Sequence, residues 1–97
     1  MRVLISGRVS AQDVSNAELW GIRPSCFVCN DLTPQPPVEC RLPAHCIPVD
    51  RKLGLFAEEA RNYTLALSAD AVILGAPNPH LVRIATAYKL PVYETWR

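Results

Sequence analysis

The sequence predicts an α/β domain in which a small parallel sheet is flanked by helices. The strongest evidence is the aliphatic run DAVILGA at residues 70–76, which is typical of a strand buried on both faces. In the C-terminal half the predicted elements follow in the order helix, this strand, tight loop, second helix and short strand. That order indicates right-handed parallel crossovers. With 97 residues, of which 49% are hydrophobic and 20% charged, the chain suits one domain spanning residues 1–97.

The N-terminal half predicts two strands around a short helix. Arg2–Ser6 forms the first strand, because aliphatic residues end there at a Ser-Gly turn. The second strand covers Ser25–Asn30. Five prolines between residues 33 and 48 remove amide donors, so we expect an extended loop there. The helix between the two strands contains Ala17, Leu19 and Trp20, and its expected cap is Asp13, Ser15 or Asn16.

The C-terminal half predicts two helices around the aliphatic strand. The first runs from Phe56 to about Ser68, with its apolar residues at helical spacing. Asn78 and Pro79 suit the N-cap and first position of the second helix. Pro91–Glu94 supplies a short last strand. The residues that the second helix is expected to bury are Leu81, Ile84, Ala85 and Tyr88.

Two loops at the carboxyl ends of strands are the expected walls of a ligand site. In open parallel sheets ligands bind at this edge, because loops converge there and helix N-termini offer free amides. The alternative is that Gly7 and Gly75 only permit tight turns. The candidates chosen by loop position are Gly7, Arg8 and Ser10 after the first strand, and Gly75, Asn78 and His80 after the aliphatic strand.

A family resemblance sharpens this expectation. The segment FAEEARNYTLALSADAVILGAPNPHLVRIATAYKLPVYE resembles the C-terminal half of small SLOG-superfamily domains, which are Rossmann-like modules that bind nucleotides and ADP-ribose-type molecules. The resemblance is carried by the pair Arg61 and Asn62, by Asp70 before the strand, and by the closing PVYE. The segment ISGRVSAQD also resembles the family's glycine-rich first loop, with Gly7 and Asp13 at matching places. The resemblance therefore adds Asp13, Arg61 and Asn62 to the candidate site.

Arg61 is the strongest candidate for an anion contact. Its guanidinium offers a fork of donors to pyrophosphate oxygens and stays charged at every relevant pH. The ordinary alternative is a solvated helix residue that pairs with Glu58. Asn62 is expected to contact a base or ribose edge, or else its own loop.

The departures from the family point to binding without turnover. Phosphoribohydrolase members carry a Pro-Gly-Gly-x-Gly-Thr loop followed by a catalytic Glu, whereas this chain has GAPNPH at residues 75–80 and no acid before Glu94. We therefore expect a non-catalytic protein without a cofactor that sequesters an ADP-ribose or cyclic ADP-ribose type signal. A viral sponge against host nucleotide-based immune signalling would have these properties.

Two other function classes stay open. The first is a small hydrolase or transferase of nucleoside phosphates, with Asp13, Asp31 or Asp50 as its acid. The second is a protein-binding inhibitor that uses the Pro-rich loop. Recovery of an intact ligand, an altered ligand or no ligand distinguishes the three classes.

The cysteines raise the question of zinc. Cys26, Cys29, Cys40 and Cys46 follow a C-x2-C-x10-C-x5-C pattern beside His45, a spacing compatible with tetrahedral zinc. The segment CFVCND also reads as a strand whose cysteines are small core residues, and CIPV is strand-like as well. We favour that interpretation and predict no metal.

Charge, length and apolar segments limit the partners. The net charge is +1 and the basic residues are scattered, which argues against nucleic acid. The apolar run Val3–Ile5 is too short for a signal-peptide core or a membrane span, so we expect a cytoplasmic protein without a membrane partner.

A domain of this size has marginal stability alone, and we expect a homodimer or higher oligomer. Trp20 and Phe27 are expected in the core, and Tyr93 and Trp96 could cover the contact between copies.

Overall fold

A computed structural model describes residues 1–30, 40–47, 54, 60, 64 and 66–96. Within these residues the chain forms one five-stranded parallel sheet with strand order β3-β2-β1-β4-β5. The predicted α/β class, a small Rossmann-like sheet flanked by helices, is thereby confirmed. The elements in chain order are β1 (Arg2–Ser6), α1 (Ala11–Glu18), β2 (Cys26–Asn30), β3 (Ala44–Ile47), β4 (Ala71–Leu74), α2 (Pro79–Ala87) and β5 (Val92–Glu94).

The strand order places a topological switch point between β1 and β4. The chain builds outward from β1 to β2 and β3, and then crosses back to add β4 and β5 on the other side. The two strands at the switch point are in register from Val3 opposite Ala71 to Ser6 opposite Leu74. Loops leave β1 and β4 in opposite directions here, which is where doubly wound sheets usually form a ligand crevice.

Alternate residues of the strands fill two separate cores. On the α1 face, Val3, Ile5, Phe27 and Ile73 are buried and form a cluster with residues of α1. On the α2 face the neighbouring positions Leu4, Val28, Val72 and Leu74 do the same with residues of α2. This burial of both faces explains why β4 is aliphatic throughout, and it confirms Phe27 as a core residue.

Helix α1 begins earlier than expected. Its N-cap is Ser10, rather than Asp13, Ser15 or Asn16, and its buried residues are Val14 and Ala17. The prediction that Trp20 lies in the core is wrong. The helix ends at Glu18, and Ile22 enters the core in its place, which leaves Leu19 85% and Trp20 78% exposed.

Helix α2 and the last strand follow the prediction more closely. Asn78 is the N-cap and Pro79 the first helical residue, and Leu81, Ile84 and Ala85 are buried as expected. Tyr88 is not buried: it is the C-cap residue and is 45% exposed. The predicted strand Pro91–Glu94 is observed as β5 at Val92–Glu94. Pro91 lies immediately before it, and its carbonyl accepts from the Val72 amide.

The Pro-rich interval contains a strand. Residues 33–39 and 48 lie outside the described residues, but β3 occupies Ala44–Ile47 and pairs with β2, so the expected loop is corrected there. Because proline removes only the amide donor, the Pro43 carbonyl can still accept from the Phe27 amide at 2.8 Å.

Most of the helix predicted from Phe56 to Ser68 lies outside the described residues. Its described positions Ala60, Thr64, Ala66 and Leu67 are helical. The Ser68 amide donates to the Thr64 carbonyl, as expected near the end of this helix.

Candidate functional site

The two loops at the switch point pack against each other through their backbones. Gly7 has φ +82°, and a Cβ placed on it would lie 2.9 Å from the Ala76 amide nitrogen. A Cβ on Gly75 would overlap the backbone of Arg8. The glycines therefore allow a close approach between the loops, in addition to the turn at Gly7, and they leave no crevice between these backbones.

The polar residues of the first loop bond to one another. The Asp13 amide donates to Ser10 Oγ at 3.1 Å, and the Ser10 amide donates to Asp13 Oδ2 at 2.9 Å. This reciprocal pair is a capping box that satisfies amides at the start of α1. Helix formation therefore explains both residues without a ligand, and Arg8 beside them is exposed. Their predicted role in ligand binding stays a prediction.

Asn78 at the second loop connects two elements. Its Oδ1 accepts from the Leu81 amide at 3.2 Å and so caps α2. Its Nδ2 donates to Ser6 Oγ at 3.4 Å, at the buried end of β1. The start of α2 is thereby tied to the first strand as well as to the fourth.

A cleft of about 420 Å³ opens beside this second loop. Its strand residues are Leu74 and Glu94, the last residues of β4 and β5, which lie in register on adjacent strands. One side is formed by the second loop and the first two turns of α2. The lining residues are Leu74, Pro77, Asn78, Pro79, Val82, Arg83, Glu94 and Trp96.

Local geometry brings the side chains to the cleft. Val82 and Arg83 lie three and four residues after Pro79, so both are neighbours of Pro79 on the surface of α2. Long helical side chains lean toward the helix N-terminus, which agrees with Arg83 lining the cleft together with residues of the first turn. On the other side, the Thr95 amide donates to the Leu74 carbonyl at 3.0 Å, which holds Trp96 near the end of β4.

The cleft combines complementary polar groups with apolar surface. A guanidinium only donates hydrogen bonds and an ionised carboxylate only accepts them, so Arg83 and Glu94 select opposite groups on a ligand. Among the described residues, the salt bridge within 4.0 Å joins Arg2 to Asp70 and does not involve Arg83. The Arg83 side chain is exposed and can bind an anion.

Asp70, one of the residues that carried the family resemblance, lies at the opposite edge of the sheet. Its Oδ2 accepts from the Arg2 amide at 2.8 Å, and its own amide donates to the Arg2 carbonyl at 2.7 Å. It therefore joins the beginnings of β1 and β4, far along the strands from the cleft.

The predicted site residues are only partly brought together. Asn78 lines the cleft, whereas Gly75 and His80 adjoin lining residues without belonging to that set. The first-loop residues also lie outside the lining set; these are Gly7, Arg8, Ser10 and Asp13. Arg61 and Asn62 lie outside the described residues.

Sequence reasoning missed Arg83, Glu94 and Trp96. One of these residues could have been found from the sequence, because ligands bind at the carboxyl ends of strands and this rule applies to β5 as well as to β1 and β4. Glu94 ends that strand, so it was an identifiable candidate. Arg83 needed the orientation of α2, and Trp96 needed the path of the chain after β5.

The cysteines give no metal centre within the described residues. Cys26, Cys29 and Cys40 are not joined in disulfides, and Cys29 is buried in β2. No three His, Cys, Asp or Glu residues of this part of the chain are grouped as metal ligands. The prediction of a metal-free domain therefore continues to rest on the sequence pattern.

Fold and cleft together define a class: small doubly wound α/β domains with a cleft of small-molecule size at the carboxyl edge of the sheet. Comparison with protein families, with characterised proteins and with solved structures finds no match to this chain. The SLOG resemblance accordingly remains an expectation. Among the helices of the described residues, none has the length and apolar character needed to cross a bilayer.

Proposed function

We propose that this chain is a non-catalytic binding domain that holds a nucleotide-derived small molecule of the ADP-ribose type. The observation that carries the proposal is the cleft at the ends of β4 and β5, with its volume of about 420 Å³. Small-molecule sites typically measure roughly 300–1,000 Å³ and occur at this edge of doubly wound sheets. The cleft has the size expected of such a site and lies at the carboxyl ends of the strands, next to the switch point between β1 and β4.

The lining chemistry supports a nucleotide-type ligand. Arg83 can donate to phosphate oxygens, and Glu94 can accept from ribose hydroxyls or an amino group. Leu74 and Val82 supply apolar surface between these polar groups. Nucleotides carry an anion, hydroxyl donors and an apolar ring face in one molecule, which matches this combination.

The distribution of carboxylates favours binding over hydrolysis. Most enzymes that cleave glycosidic bonds place two carboxylates around the bond. Among the described lining residues Glu94 is the single carboxylate. Asp13, an acid of the hydrolase alternative, accepts from the Ser10 amide and is not part of the cleft. The other two acids of that alternative, Asp31 and Asp50, lie outside the described residues.

Holding a ligand without converting it suits sequestration of a signal. A viral sponge against host nucleotide-based immune signalling in the cytoplasm is one such role, and the small size of the chain and its lack of the family's catalytic loop suit it. We also propose that two copies associate, because a domain of 97 residues buries a limited core. Light scattering at micromolar concentration would test this, and the mass of a single chain would contradict it.

The function is tested by incubating the protein with ADP-ribose, cyclic ADP-ribose and AMP, removing free ligand, and analysing the denatured protein fraction by chromatography. We expect one of these molecules to be retained intact. Recovery of a cleaved product would indicate the hydrolase alternative. Absence of retention at millimolar ligand would overturn nucleotide binding and favour the protein-binding inhibitor.

A blocking variant tests the position of the site. Val82→Phe adds volume to the half-buried flank of α2 that lines the cleft, so binding should fall at least about tenfold. Ala87→Phe is the matched control, since Ala87 is the exposed last residue of the same helix and is not a lining residue. Equal affinity in both variants, with both folded, would place the ligand elsewhere.

A further inference from the structure

Trp96 occupies a position that core packing does not explain. It is 45% exposed and lines the cleft, whereas Tyr93, the middle residue of β5, packs against the core on the α1 face. The Thr95–Leu74 hydrogen bond fixes the backbone immediately before it. A large indole is therefore held at an open cleft, with much of its apolar surface in water.

Arg83 reaches the same cleft from a different element. It belongs to the second turn of α2, while Trp96 follows β5, and the strand ends Leu74 and Glu94 also line the space. One ligand in this cleft can therefore meet a cation and an aromatic side chain at once. A guanidinium suits phosphate oxygens, and an indole suits the face of a planar ring.

We infer that the cleft recognises two parts of one ligand, a planar base that stacks on Trp96 and a phosphate that binds Arg83. This inference rests on the proposed function and narrows its ligand class to phosphorylated molecules that carry an aromatic ring. Trp96 then sets specificity for the ring, and Arg83 sets specificity for the anion. Sugar phosphates without a base and nucleosides without a phosphate are excluded as good ligands.

The chain contains two tryptophans, which makes the contact directly observable. Trp20 is 78% exposed in the turn after α1, at the opposite edge of the sheet. The variant Trp20→Phe leaves Trp96 as the single indole reporter. Its fluorescence should change in proportion to occupancy on titration with ADP-ribose, AMP or GMP, whereas Trp96→Phe should bind with little change in the Trp20 signal.

Calorimetry on matched variants measures the two contacts separately. Base stacking and a charge-assisted hydrogen bond predict that Trp96→Ala weakens binding at least about fivefold and Arg83→Gln about tenfold. Trp96→Phe keeps an aromatic face and should lose less than Trp96→Ala. Arg23→Gln is the control for lost charge, because this exposed arginine precedes β2 at the opposite edge. Thermal unfolding confirms that each variant is folded.

The probes distinguish failure of this inference from failure of the proposed function. Binding of a nucleotide probe far more tightly than ribose 5-phosphate or adenosine, together with the Trp96 signal, supports the inference. Two results would overturn the inference while the proposed function stands. One is an affinity for ribose 5-phosphate equal to that for the nucleotide; the other is an affinity for the nucleotide that is unchanged in both Trp96→Ala and Arg83→Gln. If the wild-type chain binds none of the probes at millimolar concentration, the proposed function and this inference are both wrong.

Discussion

The loops after β1 and β4 begin alike and are used differently. Each follows a buried strand at the switch point, contains a glycine and leads to a helix N-cap, Ser10 in one and Asn78 in the other. The Ser10 cap is completed within α1 by Asp13. The Asn78 cap also reaches across to Ser6 on β1. The polar side chains of the first loop therefore form their hydrogen bonds within the start of α1. The second loop links β1 to α2 beside an open cleft.

This difference explains why only one loop of the pair borders the candidate site. A capping box uses the polar side chains of the first loop on the amides of its own helix. In the second loop the prolines on either side of Asn78 have no amide donor, and all three residues line the cleft. Two loops that share a glycine followed by an N-cap residue thus differ in role: the first is structural, and the second is a candidate binding loop.

The largest expected effect comes from separating the two loops. Gly75→Ala places a Cβ against the Arg8 backbone, which cannot rotate away as a side chain would, so stability should fall by about 3 kcal/mol. Gly7→Ala combines a left-handed backbone with a tight contact to Ala76 and should cost about 2 kcal/mol. Urea denaturation measures both.

Gly21→Ala is the control for backbone conformation alone. Gly21 has φ +91°, and a Cβ there would meet nothing within 4 Å. Its cost should be about 1 kcal/mol. Equal losses for Gly75→Ala and Gly21→Ala would contradict direct packing between the loops.

The caps provide a second, smaller contrast. Ser10→Ala and Asn78→Ala each remove an N-cap and should each lower stability by about 1 kcal/mol. Only Asn78→Ala should also weaken binding of ADP-ribose in calorimetry, because Asn78 lines the cleft and Ser10 does not. A comparable loss of affinity in Ser10→Ala would restore the first loop to the site.

The extent of sequence prediction follows the range of the interactions involved. β1, β4 and the start of α2 could be predicted because a short aliphatic run or an Asn-Pro pair determines them locally. The prediction that Trp20 is buried was wrong because the burial of Trp20 depends on where α1 ends. Tertiary packing, in which Ile22 enters the core, determines that end. The segment of β3 was assigned to a loop because prolines flank it at positions 43 and 48, although CIPV is strand-like, and pairing with β2 provides its backbone hydrogen bonds.

The candidate site was less predictable than the fold. The sequence located its edge of the sheet and Asn78, since both follow from chain direction and capping. Arg83 and Trp96 converge on the cleft only through the orientation of α2 and the turn after β5. The spacing of Arg83 and Trp96 along the chain does not predict that the two side chains line the same cleft.

The opposite edge of the sheet offers a contrast between structural and binding polar residues. Asp70→Ala removes the acceptor of the Arg2 amide and an exposed ion pair at 4.0 Å, so stability should fall by about 1 kcal/mol, with most of it from the hydrogen bond. Asp70→Asn retains an acceptor and should lose less. Affinity for ADP-ribose should be unchanged in both, and a tenfold loss would give this edge a role in binding.

The smallest expected effect is that of Arg8→Ala. Arg8 is exposed in the first loop, its backbone packs against Gly75, and its side chain is not part of the cleft lining. Removing the side chain leaves the backbone contact intact, so stability should change by less than about 0.5 kcal/mol. Affinity for ADP-ribose should change less than about twofold, against about tenfold for Arg83→Gln, which removes a charge from the cleft itself. Calorimetry of the two variants is done at high salt, where the long-range effect of a lost positive charge is screened and a direct contact to the ligand is largely retained. Similar tenfold losses would mean that the ligand spans both loops, and the division between a structural first loop and a binding second loop would then be wrong.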